Sequence, residues 1–377
     1  MSKTLLLCDC LGSQTVDTVA LGKATGLSCS GCFTSLCTTQ IDSATKAIKT
    51  GDAVIACLQE AHRFAEIAEE LEVEAPQFLD IRDRAGWTDD KAPTTPKMAA
   101  LIADGMLPEP SYRSVDVVSE GTCLILGAPE IALATAKALT DTLSLTVLLA
   151  PGAEITPTHE CDVVLGKLKQ VTGTMGQFEI KIDDFQQSLV GGRGTPGLTE
   201  PRNGAVSHCD IILDLTGGSP LFPAPEKRDG YLRADPKSQP AVAQAIFAAS
   251  QLVGTFEKPL YVRMEPTLCA HSRAEKPACS NCLNVCPTGA IVSAGEHVSI
   301  DPMICAGCGA CAAVCPSGAI SYDMPNADHI FRRINTLAAT YRKAGGKDAV
   351  LLVHDAHGTE MISLSARHGR GLPSHVI

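Results

Sequence analysis

The sequence has few aromatic residues, few basic residues and no long apolar run. Aromatic side chains make up 4% of the 377 residues. No apolar stretch reaches the roughly eighteen residues that a membrane-spanning helix needs, so we expect no membrane span. The leucine run Leu5–Leu7 is too short for the core of a secretory signal peptide. Acidic residues outnumber basic ones by 42 to 31, and this charge argues against a nucleic-acid partner.

The chain is rich in apolar residues and in cysteines. Hydrophobic residues make up 45% of the sequence and charged residues 19%, so a sizeable core can form. The 17 cysteines are an odd number, and most of them stand in tight groups. Close spacing such as Cys-x-x-Cys favours shared metal ligation over a disulfide framework. Because thiolate-bound metal persists in a reducing compartment, we expect a cytoplasmic protein.

One cysteine pattern occurs twice at an offset of 29 residues. The run Cys279-x-x-Cys282-x-x-x-Cys286-Pro returns as Cys308-x-x-Cys311-x-x-x-Cys315-Pro, and Cys305 completes the second copy. This pattern resembles the bacterial-type ferredoxin module, in which the fourth cysteine of a run binds the other cluster. The resemblance implies two [4Fe–4S] clusters. Their ligands would be Cys305, Cys308, Cys311 and Cys286 for one cluster, and Cys279, Cys282 and Cys315 with a fourth group for the other.

The first copy lacks a cysteine at the position equivalent to Cys305, where Lys276 stands. We predict Cys269 as the fourth ligand, reached across an inserted loop at 270–278. His271 is a substitute ligand, and a three-cysteine [3Fe–4S] site is the alternative. Zinc is a further alternative, but two copies of this run do not have the spacing of a zinc ribbon.

Six more cysteines lie near the N-terminus, and they are Cys8, Cys10, Cys29, Cys32, Cys37 and Cys57. Cys8 and Cys10 follow one predicted strand, and Cys57 ends another. Parallel neighbouring strands would bring these ends to one edge of a sheet, where Cys37 could approach. The spacing therefore permits a third cluster, and small buried hydrophobic residues are the other interpretation.

The same stretch resembles the N-terminal domain of the heterodisulfide reductase A subunit family. The matching pieces are Leu7–Cys10, Cys37 before a helix, Ala56–Glu60, Asp80–Trp87 and Thr95–Lys97. The resemblance implies an additional iron–sulfur cluster in this domain. Ala85 stands where we expect that family to have a cysteine. A set built on Cys10, Cys37 and Cys57 would then need Cys8, Cys29 or Cys32, and we assign Cys8.

Proteins of that family bind FAD through a Gly-x-Gly-x-x-Gly turn. Here the corresponding run, Gly127-Ala-Pro129-Glu130-Ile-Ala132, keeps only the first glycine. Pro129 removes a backbone donor, and Glu130 directs negative charge toward the phosphate position. We predict a degenerate nucleotide turn at Gly127 and no FAD, with residual FAD binding as the alternative.

Three further features of this region have simpler interpretations. Gly191–Gly194 could cradle an anion, although a flexible loop is our first interpretation. We predict that Cys123, Cys161 and Cys209 are buried packing residues. The charged run 225–231 is predicted to be a solvated loop, with a partner-docking surface as the second interpretation.

The patterns predict an α/β protein of four regions. These are an N-terminal cysteine-rich α/β domain at 1–110, a degenerate Rossmann-like α/β domain at 111–262, an α+β ferredoxin-like dicluster domain at 263–325, and a helix with a strand (349–353) within 326–377. We interpret the last region as the start of a truncated C-terminal α/β domain. Docking of this segment onto an earlier sheet is the alternative.

No pattern of catalytic residues emerges, so we expect a non-catalytic electron-transfer subunit rather than an enzyme. Such a subunit would relay electrons between redox partner proteins through two or three clusters. The layout resembles ferredoxin-like companions of formate dehydrogenase systems. The two other hypotheses are an FAD-containing subunit similar to heterodisulfide reductase A, and an assembly or adaptor protein for a dehydrogenase complex.

Overall fold

A computed structural model describes residues 3–155, 158, 160–189, 197–274 and 278–377. The chain divides into two compact units. We call Met1–Pro110 with Ala327–Ile377 the terminal unit, and Ser111–Asn326 the central unit. This division differs from the four regions expected from the sequence, whose boundaries stay predictions. The loop Gly191–Gly194 and Lys276 lie outside the described residues.

The terminal unit is built on a four-stranded parallel sheet in the order β2-β1-β3-β4. Its strands are β1 (Thr4–Cys8), β2 (Ser28–Phe33), β3 (Ala53–Ile55) and β4 (Gln77–Phe78). Its first four helices are α1 (Thr18–Thr25), α2 (Ile41–Lys49), α3 (Ala61–Glu70) and α4 (Thr95–Gly105). The strands β1 and β3 are parallel neighbours, as the cysteine argument required.

Each face of this sheet carries its own core, because successive residues of a strand point to opposite faces. Leu5 and Leu7 of β1 pack on one face, together with the buried residues of α4. Leu6 of the same strand packs on the other face, against Ile55 and Phe64. A continuous apolar run such as Leu5–Leu7 is therefore what a strand buried on both faces needs.

The central unit contains a mixed seven-stranded sheet in the order β10-β9-β8-β7-β6-β11-β12. Its strands are β6 (Thr122–Gly127), β7 (Ser144–Leu149), β8 (Asp162–Thr172), β9 (Phe178–Gln187), β10 (Ala205–Cys209), β11 (Ile211–Leu215) and β12 (Tyr231–Arg233). The helices α5 (Pro129–Leu139) and α6 (Gln239–Ser250) belong to the core on one face. A separate antiparallel pair joins β5 (Ser114–Ser119) to β13 (Gly254–Pro259).

The strand and helix β6-α5-β7 form the predicted βαβ unit, because β6 and β7 pair in parallel. The helix α6 begins after Ser238, whose hydroxyl accepts the Ala241 N–H as an N-cap. The α/β class predicted from the sequence is confirmed.

The last part of the central unit is small and consists of two antiparallel strand pairs with three short helices. The strands are β14 (Val262–Met264), β15 (Ile291–Ala294), β16 (His297–Ile300) and β17 (Ile320–Tyr322), and the helices are α7 (Ala270–Arg273), α8 (Asn281–Val285) and α9 (Ala310–Ala313). Strand β14 pairs with β17, and β15 pairs with β16. The α+β arrangement predicted for this region is present.

The C-terminal segment belongs to the terminal unit. It forms α10 (Ala327–Lys343) and α11 (Ala356–Arg367). Leu337 and Tyr341 of α10 are buried in the core that contains α4, and Arg333 donates two hydrogen bonds to Asp104 at 3.0 and 2.7 Å. Among the described residues, no helix is long and apolar enough to cross a membrane.

The strand predicted at 349–353 is not formed. Val350 makes only an isolated bridge to Val376, and Val353 is 84% exposed. The residues of this run are typical of a buried strand, but among the described residues its backbone pairs only with residues 375–377. A single bridge cannot build a ladder of hydrogen bonds.

Candidate metal centres

Four thiols gather around the helix α9 in the central unit. They belong to Cys305, Cys308, Cys311 and Cys286. Burial, followed by the negative charges of Cys305, Cys308 and Cys286, raises the pKa of Cys311 to about 11. Burial and the charges of Cys286 and Cys308 likewise raise the pKa of Cys305. Three thiols of the second copy and the last thiol of the first copy are therefore near neighbours.

A glycine and two tyrosines fix the loop between Cys305 and Cys308. Gly307 has a φ of +70°, and a Cβ there would lie 2.6 Å from the ring of Tyr261. The hydroxyl of Tyr322 donates to the Gly307 carbonyl at 2.7 Å. Only glycine combines this backbone conformation with this close approach. The two rings therefore hold the cysteine loop in one shape.

A second set of four thiols lines one cavity, and the set consists of Cys269, Cys279, Cys282 and Cys315. Met264, Val298 and Ile320 supply apolar groups to the same lining. Burial raises the pKa of Cys282, and the charges of Cys279 and Cys269 raise it further. The distant residue Cys269 thus lies beside the first copy of the cysteine run, despite the inserted segment.

His271 has a different environment from the thiols. It is 1% exposed, and its two ring nitrogens lie 3.2 Å from the Cys279 carbonyl oxygen and 3.0 Å from that of Gly295. Both nitrogens are occupied by backbone oxygens. This geometry favours Cys269 over His271 as the fourth ligand of the first copy.

Hydrogen bonds converge on the two cysteines that precede proline. Burial raises the pKa of Cys286, but the Thr288 hydroxyl and nearby backbone N–H groups outweigh it and lower the pKa overall. Cys315 behaves in the same way, with Ser317 in place of Thr288. Each hydroxyl oxygen lies 3.7 Å from its sulfur. The sequence repeat thus produces a repeated set of donors that stabilise thiolate sulfur.

In the terminal unit, four of the six N-terminal cysteines come together. Cys8, Cys37 and Cys57 pack against the same core, and the Cys10 N–H lies 3.4 Å from the Cys8 sulfur. Burial and the charge of Glu60, followed by the charges of Cys8 and Cys10, raise the pKa of Cys37. Burial, with a smaller contribution from the charge of Cys37, raises the pKa of Cys57 to about 11.

The two remaining N-terminal cysteines have different surroundings. Cys29 packs against the core of the opposite face, and its thiol donates weakly to the Leu27 carbonyl at 3.8 Å. Cys32 is exposed on the whole, and the partial burial of its thiol, followed by the charges of Asp9 and Cys8, raises its pKa. Cys29 therefore lies on the wrong face of the sheet for the fourth position, and Cys8 stays the predicted ligand.

Sequence reasoning missed Arg82, which comes from a π-helical turn, Arg82–Gly86. Its guanidinium donates to the Cys10 sulfur at 3.4 Å and lies 4.1 Å from the centroid of Trp87. The charge of Arg82 also lowers the pKa of Cys57. The motif around Trp87 was the available signal, but it gave no indication of which charged residue faces the cysteines.

The predicted nucleotide turn lies where β6 meets α5. A Cβ on Gly127 would lie 3.3 Å from both the Cβ and the carbonyl oxygen of Leu215, so a larger residue would crowd the neighbouring strand. Pro129 occupies the first turn of α5 without a backbone donor, and Glu130 follows it. These residues do not fit a pyrophosphate group, and the absence of FAD stays a prediction. Cys123 and Cys209 are buried nearby, whereas Cys161 is only half-buried.

The charged run 225–231 is a solvated loop only in part. Three of its charged residues are exposed, as its composition indicated, and they are Glu226, Lys227 and Asp229. Arg228 is 7% exposed and donates to the carbonyls of Gly173 and Thr288 at 3.0 Å each. Its guanidinium lies 4.5 Å from the centroid of Phe222, and Tyr231 is also buried. Arg228 therefore packs inside the central unit, because two carbonyls and an aromatic face replace water around the buried cation.

The two thiol sets of the central unit fit [4Fe–4S] clusters. Among the described residues, no three His, Cys, Asp or Glu side chains are close enough to hold one metal ion between them. A cubane makes a different demand, because each iron takes its own thiolate. Each set supplies four thiols, and one sulfur of each set receives hydrogen bonds from hydroxyl and backbone groups.

Comparison with known proteins agrees with this part of the structure. No curated protein matches the chain. The family model described as a 4Fe-4S dicluster domain matches residues 257–319, so the central unit contains an iron–sulfur domain of the ferredoxin kind.

Proposed function

We propose that this chain is an electron-transfer protein that carries electrons between partner oxidoreductases by means of two [4Fe–4S] clusters. The observation that supports it most directly is the grouping of eight cysteines into two sets within a dicluster domain. Bound there, the clusters would supply one-electron redox chemistry. The protein would supply ligation, hydrogen bonds to sulfur and exclusion of solvent.

The proposed ligand sets exchange one cysteine between the two copies of the run. Cys305, Cys308, Cys311 and Cys286 form one set, and Cys269, Cys279, Cys282 and Cys315 form the other. The mutual effects on thiol pKa support the first set, and the shared cavity supports the second. A formate dehydrogenase or a similar oxidoreductase as partner stays a prediction.

We further propose that the terminal unit holds a third cluster at Cys8, Cys10, Cys37 and Cys57. The support is the proximity of these thiols at the carboxyl edge of β1 and β3, together with the cation Arg82. A positive charge beside a cluster offsets part of the negative charge that the thiolates bring into a buried site.

The iron content per chain tests both the two clusters of the dicluster domain and the third cluster of the terminal unit. Anaerobically purified protein should contain about eight irons per chain with two clusters, or about twelve with the third. Cys57→Ser should remove about four of the twelve irons, whereas Cys29→Ser should remove none because Cys29 lies on the opposite face. Iron-free protein would refute electron transfer altogether. Full iron retention by the Cys57 variant would refute only the third cluster.

The two hydroxyls beside Cys286 and Cys315 give a second test. Thr288→Val removes a donor to one sulfur and Ser317→Ala a donor to the other. Donors stabilise the reduced, more negative cluster, so each variant should lower one reduction potential. If the hydrogen bond stabilises the reduced cluster over the oxidised cluster by about 1 kcal/mol, its loss lowers the one-electron reduction potential by roughly 40 mV.

Redox titration followed by EPR would measure these shifts. Ser299→Ala is the matched control, because Ser299 is an exposed hydroxyl residue on β16. If Thr288→Val and Ser317→Ala moved the same signal, the assignment of Cys286 and Cys315 to different clusters would be wrong.

A further inference from the structure

A buried lysine of the central unit lies close to the cysteine loop of the second copy. Lys258 is the last residue but one of β13 and is 9% exposed. Its ammonium lies 5.8 Å from the centroid of the Tyr261 ring. The same ring packs against Gly307, which stands between Cys305 and Cys308. The side chain of Tyr261 is therefore next to both the buried cation and the cysteine loop.

A carboxylate at the surface balances this cation. Lys258 donates to Asp229, and Asp229 is exposed whereas Lys258 is buried. A cavity of about 230 Å³ lies beside the pair, and Met303, two residues before Cys305, also lines it. Because solvent screens an exposed charge more strongly than a buried one, the positive member of the pair acts more strongly on the protein interior.

The positive charge of Lys258 acts on the thiol of Cys305. Burial raises the pKa of Cys305, and the charges of Cys286 and Cys308 add to this effect, whereas the charge of Lys258 opposes it. A cation that favours thiolate over thiol also favours the more negative of two redox states at the same site. Lys258 is thus placed to change the redox equilibrium of the second copy.

The other thiol set has no comparable cation in its lining. Within the part of the chain that the structure describes, no charged side chain lines the cavity of Cys269, Cys279, Cys282 and Cys315. Its lining is apolar apart from the thiols, a serine and an asparagine. The two sets therefore differ in local charge, although their cysteine spacing is repeated.

Two arginines also lie near Cys305, but they are at the surface. Arg113 and Arg263 line a second cavity together with Cys305. Arg113 pairs with Asp323 at 3.0 Å, and both arginines are exposed. Solvent screens such charges, so they affect the interior less than a buried cation does. The main difference in charge between the two sets is therefore Lys258.

We propose that Lys258 raises the reduction potential of the cluster held by Cys305, Cys308, Cys311 and Cys286 above that of the other cluster. This proposal rests on the electron-transfer function proposed above. Reduction adds one electron, and hence one negative charge, to the site, and a buried cation nearby stabilises that charge. The first electron supplied by a donor oxidoreductase would then reside at this cluster.

Redox titration of the anaerobically purified full-length protein, followed by EPR, tests the proposal. Lys258→Met should lower one reduction potential by about 59 mV, which is a tenfold change in a one-electron equilibrium. Asp229→Asn should raise the same potential, because it leaves Lys258 without its counter-charge. Thr288→Val identifies the signal concerned, since Thr288 lies beside Cys286.

Arg263→Gln is the matched control, because it removes an exposed positive charge near the same cysteine and should shift the potential much less. A purely structural role of the pair would not give shifts of opposite sign. Asp229 is exposed, so Asp229→Asn remains informative if Lys258→Met does not fold.

Three results would overturn the role of Lys258. They are unchanged potentials in Lys258→Met and Asp229→Asn, a shift confined to the signal that Thr288→Val leaves unmoved, and an equally large shift in Arg263→Gln. Iron-free protein would refute electron transfer and this role with it. Iron-loaded protein with unshifted potentials would refute the role of Lys258 alone.

Discussion

Cys311→Ser should give the largest loss of iron from the central unit, about half of the iron held there. Cys311 is 7% exposed within the small core of the dicluster domain, and its thiol neighbours are Cys305, Cys308 and Cys286. Serine is a poor ligand for iron and places a hydroxyl in an apolar site. Anaerobic iron and sulfide analysis, with visible absorption, would measure the loss.

Cys161→Ser is the control for this prediction, because Cys161 is half-buried beside the sheet core and far in sequence from either thiol set. It should retain all of the iron. Cys269→Ser is the informative companion. It should convert one cluster to a form with the EPR signal of [3Fe–4S], because three cysteines remain. An unchanged spectrum for Cys269→Ser would mean that Cys269 is not a ligand.

The ligand spacing of the dicluster domain could be predicted from the sequence because the relevant contacts are local. Three cysteines, each separated from the next by two residues, place their sulfurs around one small group such as an iron–sulfur cluster. The contacts that hold this loop in shape are not local. Tyr261 contacts Gly307 from the short link between β13 and β14, and no sequence pattern marks that pair. Only the fold brings them together.

The N-terminal cysteines show where spacing alone stops being informative. Cys8, Cys29 and Cys32 were the three candidates for the fourth ligand in the sequence, and only Cys8 follows a predicted strand. The sheet separates them, because Cys29 packs on the face opposite Cys8. Face assignment depends on the register between strands, and β1 and β2 have an irregular register between Leu5 and Leu7. That irregularity has no signature in the sequence.

Local composition was misleading in two places for the same physical reason. The run 349–353 has the residues of a buried strand but lacks a neighbouring sheet edge. The run 225–231 has the residues of a solvated loop, yet Arg228 finds two carbonyls inside the central unit. In both runs, the residues that pack against the run determine whether it forms a strand or is buried. Those residues are distant in sequence, so the composition of the run does not predict them.

Tyr341→Ala should give the largest loss of stability in the terminal unit. Tyr341 is 4% exposed, its hydroxyl donates to the Lys347 carbonyl at 3.3 Å, and its ring packs against Gly346. Truncation of a buried aromatic side chain typically costs about 3–5 kcal/mol. Chemical denaturation followed by circular dichroism would report the loss. The variants would be made in a Cys57→Ser background, which lacks the proposed third cluster, so that cluster absorption reports on the central unit alone.

Phe331→Ala is the matched control on the same helix, because Phe331 is 63% exposed and should change stability by less than about 0.5 kcal/mol. The cluster absorption should be lost at the same denaturant concentration in both variants, since the dicluster domain belongs to the central unit. Equal stability losses for Tyr341→Ala and Phe331→Ala would show that α10 does not pack into the core of the terminal unit. The C-terminal segment would then be independent of the N-terminal sheet, as the sequence had indicated.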